Sequence, residues 1–509
     1  MKRFVFLTLI SLATLTAQTP SPSPPPAPKP EPTTPAPPPV ETTSRTKHEI
    51  TIHGTKIPYT ATAGTLILKK EDGKPWASMF YVAYTRDDTP DPSKRPLTFS
   101  FNGGPGSSSV WLHLGALGPK RVQMGPDGEP PAPPYRLVDN ADTALDFTDL
   151  VFIDPVTTGF SREAPGENAA QFHGFDGDLK SVAEFIRLYS VRAERWASPK
   201  FLAGESYGTT RAAALSQYLI RTHGIYLNGI VLISSVLNFQ TISLAPGNDL
   251  PYELYLPTYA STAWYHKKLP NDLQSGGLEK AIGEARRFAS GEYAAALMKG
   301  DKLTSAERAD VVKQLSRLTG LSPAFLEETN LRVSPFRFEK ELLRSERRTL
   351  GRYDSRLEGE DRDAAGDRPD YDPSYASVQG VYTATFNDYV RSELKYETDL
   401  SYEVLTDKVM PWSYKEFENR YVNVADMLRD AMTQNHNLNV VIANGYYDLA
   451  TPFFATEYTV SHLGLEPALA GHVSLTYCEA GHMLYTRQTC LDSLRATMAA
   501  FYQKSAGAK

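Results

Sequence analysis

Residues 204–208 read Gly-Glu-Ser-Tyr-Gly, a serine with a glycine two positions away on either side. An apolar run precedes the pentapeptide and a helical pattern follows it. That is the setting of a strand–turn–helix elbow, which lifts a serine Oγ above the edge of a sheet. A serine hydroxyl becomes a competent nucleophile only when a base takes its proton. Two later residues suit that task in the chain order Ser, Asp, His. Asp448 ends Gly445-Tyr-Tyr-Asp448, just after the apolar run 438–443, and His482 lies in Gly481-His-Met483, before the last helical pattern. Asp448 would orient the imidazole, and His482 would act as general base and then general acid. Taken singly, a loop-capping aspartate and a surface histidine are the alternatives. A third element is Asn102-Gly-Gly-Pro-Gly-Ser-Ser-Ser109, directly after the run 97–101. A glycine-rich loop there would offer a backbone N–H to an oxyanion, with Tyr207, the residue after the serine, offering a second. The loop lacks the lysine of a phosphate-binding loop and the spacing of a dinucleotide fingerprint.

Together and in this order, Asn102–Ser109, Gly204–Gly208, the Asp448 loop and Gly481-His-Met483 resemble the serine carboxypeptidase family. Asp154-Pro-Val-Thr-Thr-Gly-Phe-Ser161 is also similar to a loop of that family. The likeness covers residues 95–240 and 438–490. It implies an α/β-hydrolase fold, a mostly parallel central sheet flanked by helices, with a largely helical cap insertion. It implies Ser206, Asp448 and His482 as the triad and the backbone N–H groups of Gly104 and Tyr207 as the oxyanion hole. It further implies that Asn102 and Glu205 bind the terminal carboxylate of a peptide substrate. A protonated Glu205 can donate to a carboxylate, as can the Asn102 amide. Repulsion between the two carboxyl groups raises the Glu205 pKa, so peptidase activity is expected to favour acid pH, whereas ester or amide hydrolysis needs only neutral His482. A salt bridge to a cap arginine is the structural alternative for Glu205.

The chain departs from the family pattern at Ser100, where an aromatic residue is usual, and at Ala116, where glutamate is usual. The nucleophilic machinery is untouched by these changes, so an esterase, amidase or acyltransferase stands beside the carboxypeptidase reading. A secreted binding protein that kept the fold is the non-enzymatic rival. Cys478 and Cys490 bracket the His482 loop, and in an exported chain they are expected to pair, closing a loop of about a dozen residues. A pair of separate thiols is the alternative.

These residues need a scaffold. Residues 48–69 alternate polar and apolar around Gly54 and Gly64, as in an antiparallel hairpin. Short apolar runs at 79–84, 97–101, 150–153, 201–203 and 229–234 read as strands, and helical spacing appears at 179–196 and 209–222, the latter closed by Gly224. Strands alternating with helices predict a parallel sheet. Residues 246–424 change character, with mostly helical periodicity, a Thr304–Glu307 capping box and a Ser322-Pro323 helix start. The densely charged stretch 340–370 reads as solvent-facing or loosely ordered. Strands at 438–443 and 473–477 and a helix at 491–502 complete the pattern. The expected organisation is core 46–245, cap insertion 246–424 and core 425–509.

The chain has 509 residues, 41% hydrophobic and 22% charged, with 53 basic and 59 acidic side chains and a net charge of −6. That balance is globular and gives no basic excess for nucleic acid. Two cysteines exclude a disulfide-rich scaffold, and the absence of H-E-x-x-H and C-x-x-C speaks against a zinc hydrolase. No metal or organic cofactor is expected. Lys2 and Arg3 before an apolar run to Leu15 read as a signal peptide over residues 1–17, too short to span a bilayer. The expected location is periplasmic or extracellular, with no transmembrane span in the mature chain. Twelve prolines between Pro20 and Pro39 make residues 18–45 an extended spacer. The sequence sets no oligomeric state.

Overall fold

In the computed structural model the described residues are 39–507, so the signal peptide and most of the proline-rich spacer lie outside them. The backbone is already in a strand at Thr43, three residues before the expected start of the core at 46. Nine strands form the path of one sheet: β1 (Thr43–Ile52), β2 (Thr55–Lys69), β3 (Pro75–Arg86), β4 (Leu97–Phe101), β5 (Asp149–Ile153), β6 (Lys200–Ser206), β7 (Gly229–Ser235), β8 (Asn439–Gly445) and β9 (Val473–Cys478). Their spatial order is β1-β2-β3-β5-β4-β6-β7-β8-β9, and a short strand at Arg162–Glu163 joins the edge of β3. The first three pair antiparallel, β3 meets β5 antiparallel, and every pairing from β5 to β9 is parallel. The hairpin turn falls at His53-Gly54, whereas Gly64 sits inside β2 opposite Tyr81.

The parallel strands β4, β5, β7 and β8 are buried along their whole length, which is why they read as unbroken apolar runs. Alternate residues feed two apolar layers. On one face, Phe99, Val151, Leu202, Ile230 and Ile442 pack under α1 (Phe175–Arg192) and α2 (Tyr207–Tyr218). On the other, Phe152, Ala203, Val231 and Val441 share a layer with Leu491, Leu494 and Met498.

Residues 246–424 split between two kinds of packing. Helices α3 (Leu250–Tyr265), α4 (Leu278–Phe288) and α5 (Ser305–Thr319) build a separate apolar cluster around Tyr259, Ala285, Leu315 and Phe338. The Thr304–Glu307 capping box is formed at the start of α5. Helix α6 (Pro373–Ser392), by contrast, drives Val378, Tyr382, Phe386 and Tyr389 into the layer beneath the sheet. Phe417, Val422 and Val424 join the opposite layer with α7 (Ala425–Gln434). Helix α8 (Gln488–Ser505) closes the chain over the face that α6 covers.

The stretch 340–370 divides: residues 360–370 are mostly exposed, as the charge suggests, whereas residues 349–357 are largely buried. Lys340 is buried in an ion pair with Asp361, and Asp354, Ser355 and Arg356 are also buried. The buried charges are paired, Lys340 with Asp361 and Arg356 with Asp354, so their burial is offset by hydrogen bonds. No helix among the described residues is long and apolar enough to cross a membrane.

Candidate active site

The C-terminal ends of β4, β6 and β8 and the loop after β9 converge on one cleft. Asn102, Glu205, Ser206 and His482 all line it. Ser206 sits between β6 and α2 with φ +59° and ψ −130°, the strained turn expected of a nucleophile elbow. Tyr207 is the first residue of α2, so its N–H has no partner within the helix. Gly103 touches this turn directly. A Cβ at residue 103 would stand 2.4 Å from Tyr207 N and 2.9 Å from Glu205 O, which only glycine avoids. Gly104 follows at φ +98° on the cleft wall.

His482 Nδ1 donates to Asp448 Oδ2 at 2.7 Å. Asp448 is fully buried and also accepts from the N–H groups of Ala450 and Thr451 and from Thr451 Oγ1, at 2.8, 2.9 and 2.6 Å. With Nδ1 committed, Nε2 is the nitrogen left to take a proton. No hydrogen bond joins Ser206 Oγ to that ring among the described residues, although both groups face the cleft. Such contacts are often long before substrate binds. Burial disfavours the imidazolium, but the Asp448 carboxylate outweighs it with help from Glu205, and the His482 pKa is raised above its ordinary value.

Glu205 lies at the end of β6, buried, and burial pushes its carboxyl up to about 7 against the opposing pull of His482, of the Tyr485 hydrogen bond and of the Asn102 amide beside it. It meets no cap arginine; Tyr485 Oη donates to its Oε2 at 2.6 Å instead. Asn102 Oδ1 accepts from Leu112 N at 3.0 Å, which turns the amide nitrogen away from Leu112. Asn102 Nδ2 is buried with no well-formed partner. Behind it, Arg211 on α2 donates to Asn102 O and to Asp178 Oδ2, both at 2.7 Å. This buried pair pins the glycine loop to the elbow helix. Ser100 is buried with no partner for its hydroxyl, and Asn140 Nδ2 bonds the Ala116 carbonyl. Neither position supplies a side chain to the cleft.

Several residues at the site carry no sequence motif. Tyr353 stacks on the His482 ring at 5.1 Å between centroids. Its carbonyl accepts the His482 N–H, and Asp354 Oδ2 accepts from Gly481 N at 3.2 Å. Trp111 and Tyr375 extend this aromatic wall, with ring centroids 6.2 Å apart. Tyr353 was hidden by the charge around it, and Tyr485 by its distance in sequence from Glu205. A tyrosine three residues beyond the histidine was the one available hint. Cys478, at the end of β9, is bonded to Cys490 on α8 with a Cα–Cα distance of 5.8 Å, spanning the loop that carries His482 and Tyr485.

A mostly parallel sheet flanked by helices, with a serine at a strand-to-helix elbow, defines an α/β-hydrolase fold. The serine carboxypeptidase family model matches residues 55–477, and the chain belongs to that family. Over 156 residues it is 34% identical to pheromone-processing carboxypeptidase KEX1 of Saccharomyces cerevisiae, an overlap of 28% of this chain and 20% of that protein. It is 32% identical over 220 residues to carboxypeptidase Y of the same yeast, covering 40% and 36%. Serine carboxypeptidase-like 50 of Arabidopsis thaliana is 27% identical over 270 residues, covering 52% and 53%. These matches thus span between a fifth and about half of the relatives' own lengths. The crystal structure of the yeast Kex1 prohormone-processing carboxypeptidase superposes with a TM-score of 0.50 at 16% identity, over 87% of this chain and 91% of that one.

Proposed function

We propose that this protein removes C-terminal residues from peptides through an acyl-enzyme. Ser206 Oγ attacks the scissile carbonyl while His482 Nε2 takes its proton. The Gly104 and Tyr207 N–H groups receive the developing oxyanion. His482 then passes the proton to the leaving amine, and water repeats the sequence in reverse to free the acyl product. Asp448 holds the imidazole throughout. The observation that carries the exopeptidase reading is the pairing, beside Ser206, of a buried Asn102 amide nitrogen, which makes no well-formed hydrogen bond, with a carboxyl on Glu205 that burial keeps protonated up to about pH 7. Both groups suit a substrate carboxylate.

The pH window follows from two signs. Glu205 donates only below about pH 7, while His482 is a base only above a pKa that is itself raised. The acid preference drawn from Glu205 alone is therefore cut off from below, and the best pH for a free-carboxylate peptide lies close to neutral. Export belongs to this reading, supported by Lys2, Arg3, the apolar run that follows them and the paired cysteines of the histidine loop.

The test is release of a free amino acid from an N-blocked dipeptide, compared with its C-terminal amide, with Ser206→Ala as the blank. Preference for the free acid, lost in the blank, supports the reading. Equal turnover of acid and amide, still dependent on Ser206, favours the second reading, an esterase or amidase, for which Ser100 and Ala116 are the motivating observations.

A further inference from the structure

Tyr485 lies in the short 3-10 turn Leu484–Thr486, on the loop that carries His482. Its phenol and the Glu205 carboxyl are both buried and joined at 2.6 Å. The approach depends on Gly115. A Cβ there would stand 2.4 Å from Tyr485 Cε2 and 2.5 Å from the Tyr382 hydroxyl, so a larger residue would push the phenols away. We propose that Tyr485 is a positioning residue that fixes which oxygen of Glu205 carries the proton, and so sets the preference of the cleft for a free terminal carboxylate. This rests on the carboxypeptidase reading above.

A neutral carboxyl has one O–H donor and one carbonyl acceptor. The phenol donates to Oε2 of the carboxylate at 2.6 Å; where it keeps that role with the carboxyl neutral, Oε2 is the acceptor and the acid proton belongs on Oε1. Oε1–H and the Asn102 amide beside it are then the donors that these two cleft-lining residues would offer a substrate carboxylate. Without the phenol the proton is free to sit on either oxygen, and half of those arrangements present an acceptor to the incoming carboxylate. The groups around Glu205 come from four elements: His482 and Tyr485 from the loop after β9, Asp448 from the loop after β8, Tyr353 from the cap and Tyr382 from α6. His482 and Tyr485 favour the charged carboxylate, and Asp448 opposes it. Tyr353 and Tyr382 have raised pKa values and stay neutral. Removing the phenol donor therefore raises the Glu205 pKa further.

The experiment measures kcat/KM for an N-blocked dipeptide acid and for its amide between about pH 5 and pH 9. Wild-type protein, Tyr485→Phe and Glu205→Gln are compared, with Ser206 titrated by an organophosphonate to count active sites. In Tyr485→Phe the acid-over-amide preference should fall about tenfold, carried by KM, while the alkaline limb moves up by about half a pH unit or more. A purely structural loss would lower turnover of both substrates and leave the limb in place. Glu205→Gln does not depend on that variant folding. Its carbonyl accepts from Tyr485 and its NH2 faces the cleft, so the preference persists and the alkaline limb disappears. Loss of preference at every pH in Glu205→Gln, or an unmoved limb in a titratable Tyr485→Phe, overturns the assignment. A wild-type protein with no preference for the acid overturns the carboxypeptidase reading itself, and is seen before any variant is made.

Discussion

Asp448 receives four hydrogen bonds: two from backbone, one from Thr451 and one from His482. An asparagine there would have to turn its NH2 toward at least one donor, and would favour the wrong imidazole tautomer. Asp448→Asn should lower kcat by about four orders of magnitude with little change in KM, and steady-state kinetics on an ester substrate will measure it. The same ester, having no carboxylate to bind, should show a single ascending pH limb whose midpoint lies above the ordinary histidine value, because the His482 pKa is raised. A dipeptide acid should show a bell, its descending side set by Glu205 near pH 7. A midpoint below the ordinary value would mean that Asp448 does not stabilise the imidazolium. Ser206, Asp448 and His482 could be proposed from the sequence because nucleophile chemistry constrains local sequence, with small residues at the turn and loops after strands. Tyr485 and Tyr353 were not, since contact across the fold leaves no local pattern.

At the scale of elements, the histidine loop is held from three sides. The disulfide ties its base to α8, Ser234 Oγ donates to the His482 carbonyl at 2.6 Å, and residues 351–357 form a strap across its outer face. In the strap, Arg356 is bonded to Asp354 at 2.6 Å while Asp354 receives Gly481 N. Asp354→Ala should leave the Arg356 guanidinium and the Gly481 N–H without their carboxylate. The expected outcome is a fall of about tenfold in kcat for ester and peptide alike, as the imidazole loses its fixed seat. Equal kcat in mutant and parent would show that the stacking of Tyr353 suffices alone. Replacing Cys478 and Cys490 with serine should cost on the order of 3 kcal/mol for a loop of this length, read as a lower denaturant midpoint. The charge density of 340–370 pointed to solvent because charge is normally hydrated. Here the strap pairs its own acids and bases, and sequence alone gives no sign of which charges will meet.

At the scale of the molecule, the parallel half of the sheet was legible because each strand buried on both faces must be apolar throughout, as β5, β7 and β8 are. The hairpin begins five residues earlier than its alternation suggested, at Thr43, and ends at Lys69 as read. The inserted segment was legible as helix but not in its allegiance. Helix α6 serves the core, whereas α3 to α5 pack on one another, and amphipathic periodicity does not say which partner a face will meet. The strand order has a consequence for biosynthesis. β7 gains its outer neighbour only when β8 is made, after all of residues 246–424 have been translated. Until then the growing chain carries an apolar edge strand with no mate, a surface for chaperones or for aggregation. It also carries Ser206 with neither Asp448 nor His482 yet in existence. Under the proposed mechanism the newborn chain is thus disarmed by the order of its own translation, since the three groups meet only as its last segment folds.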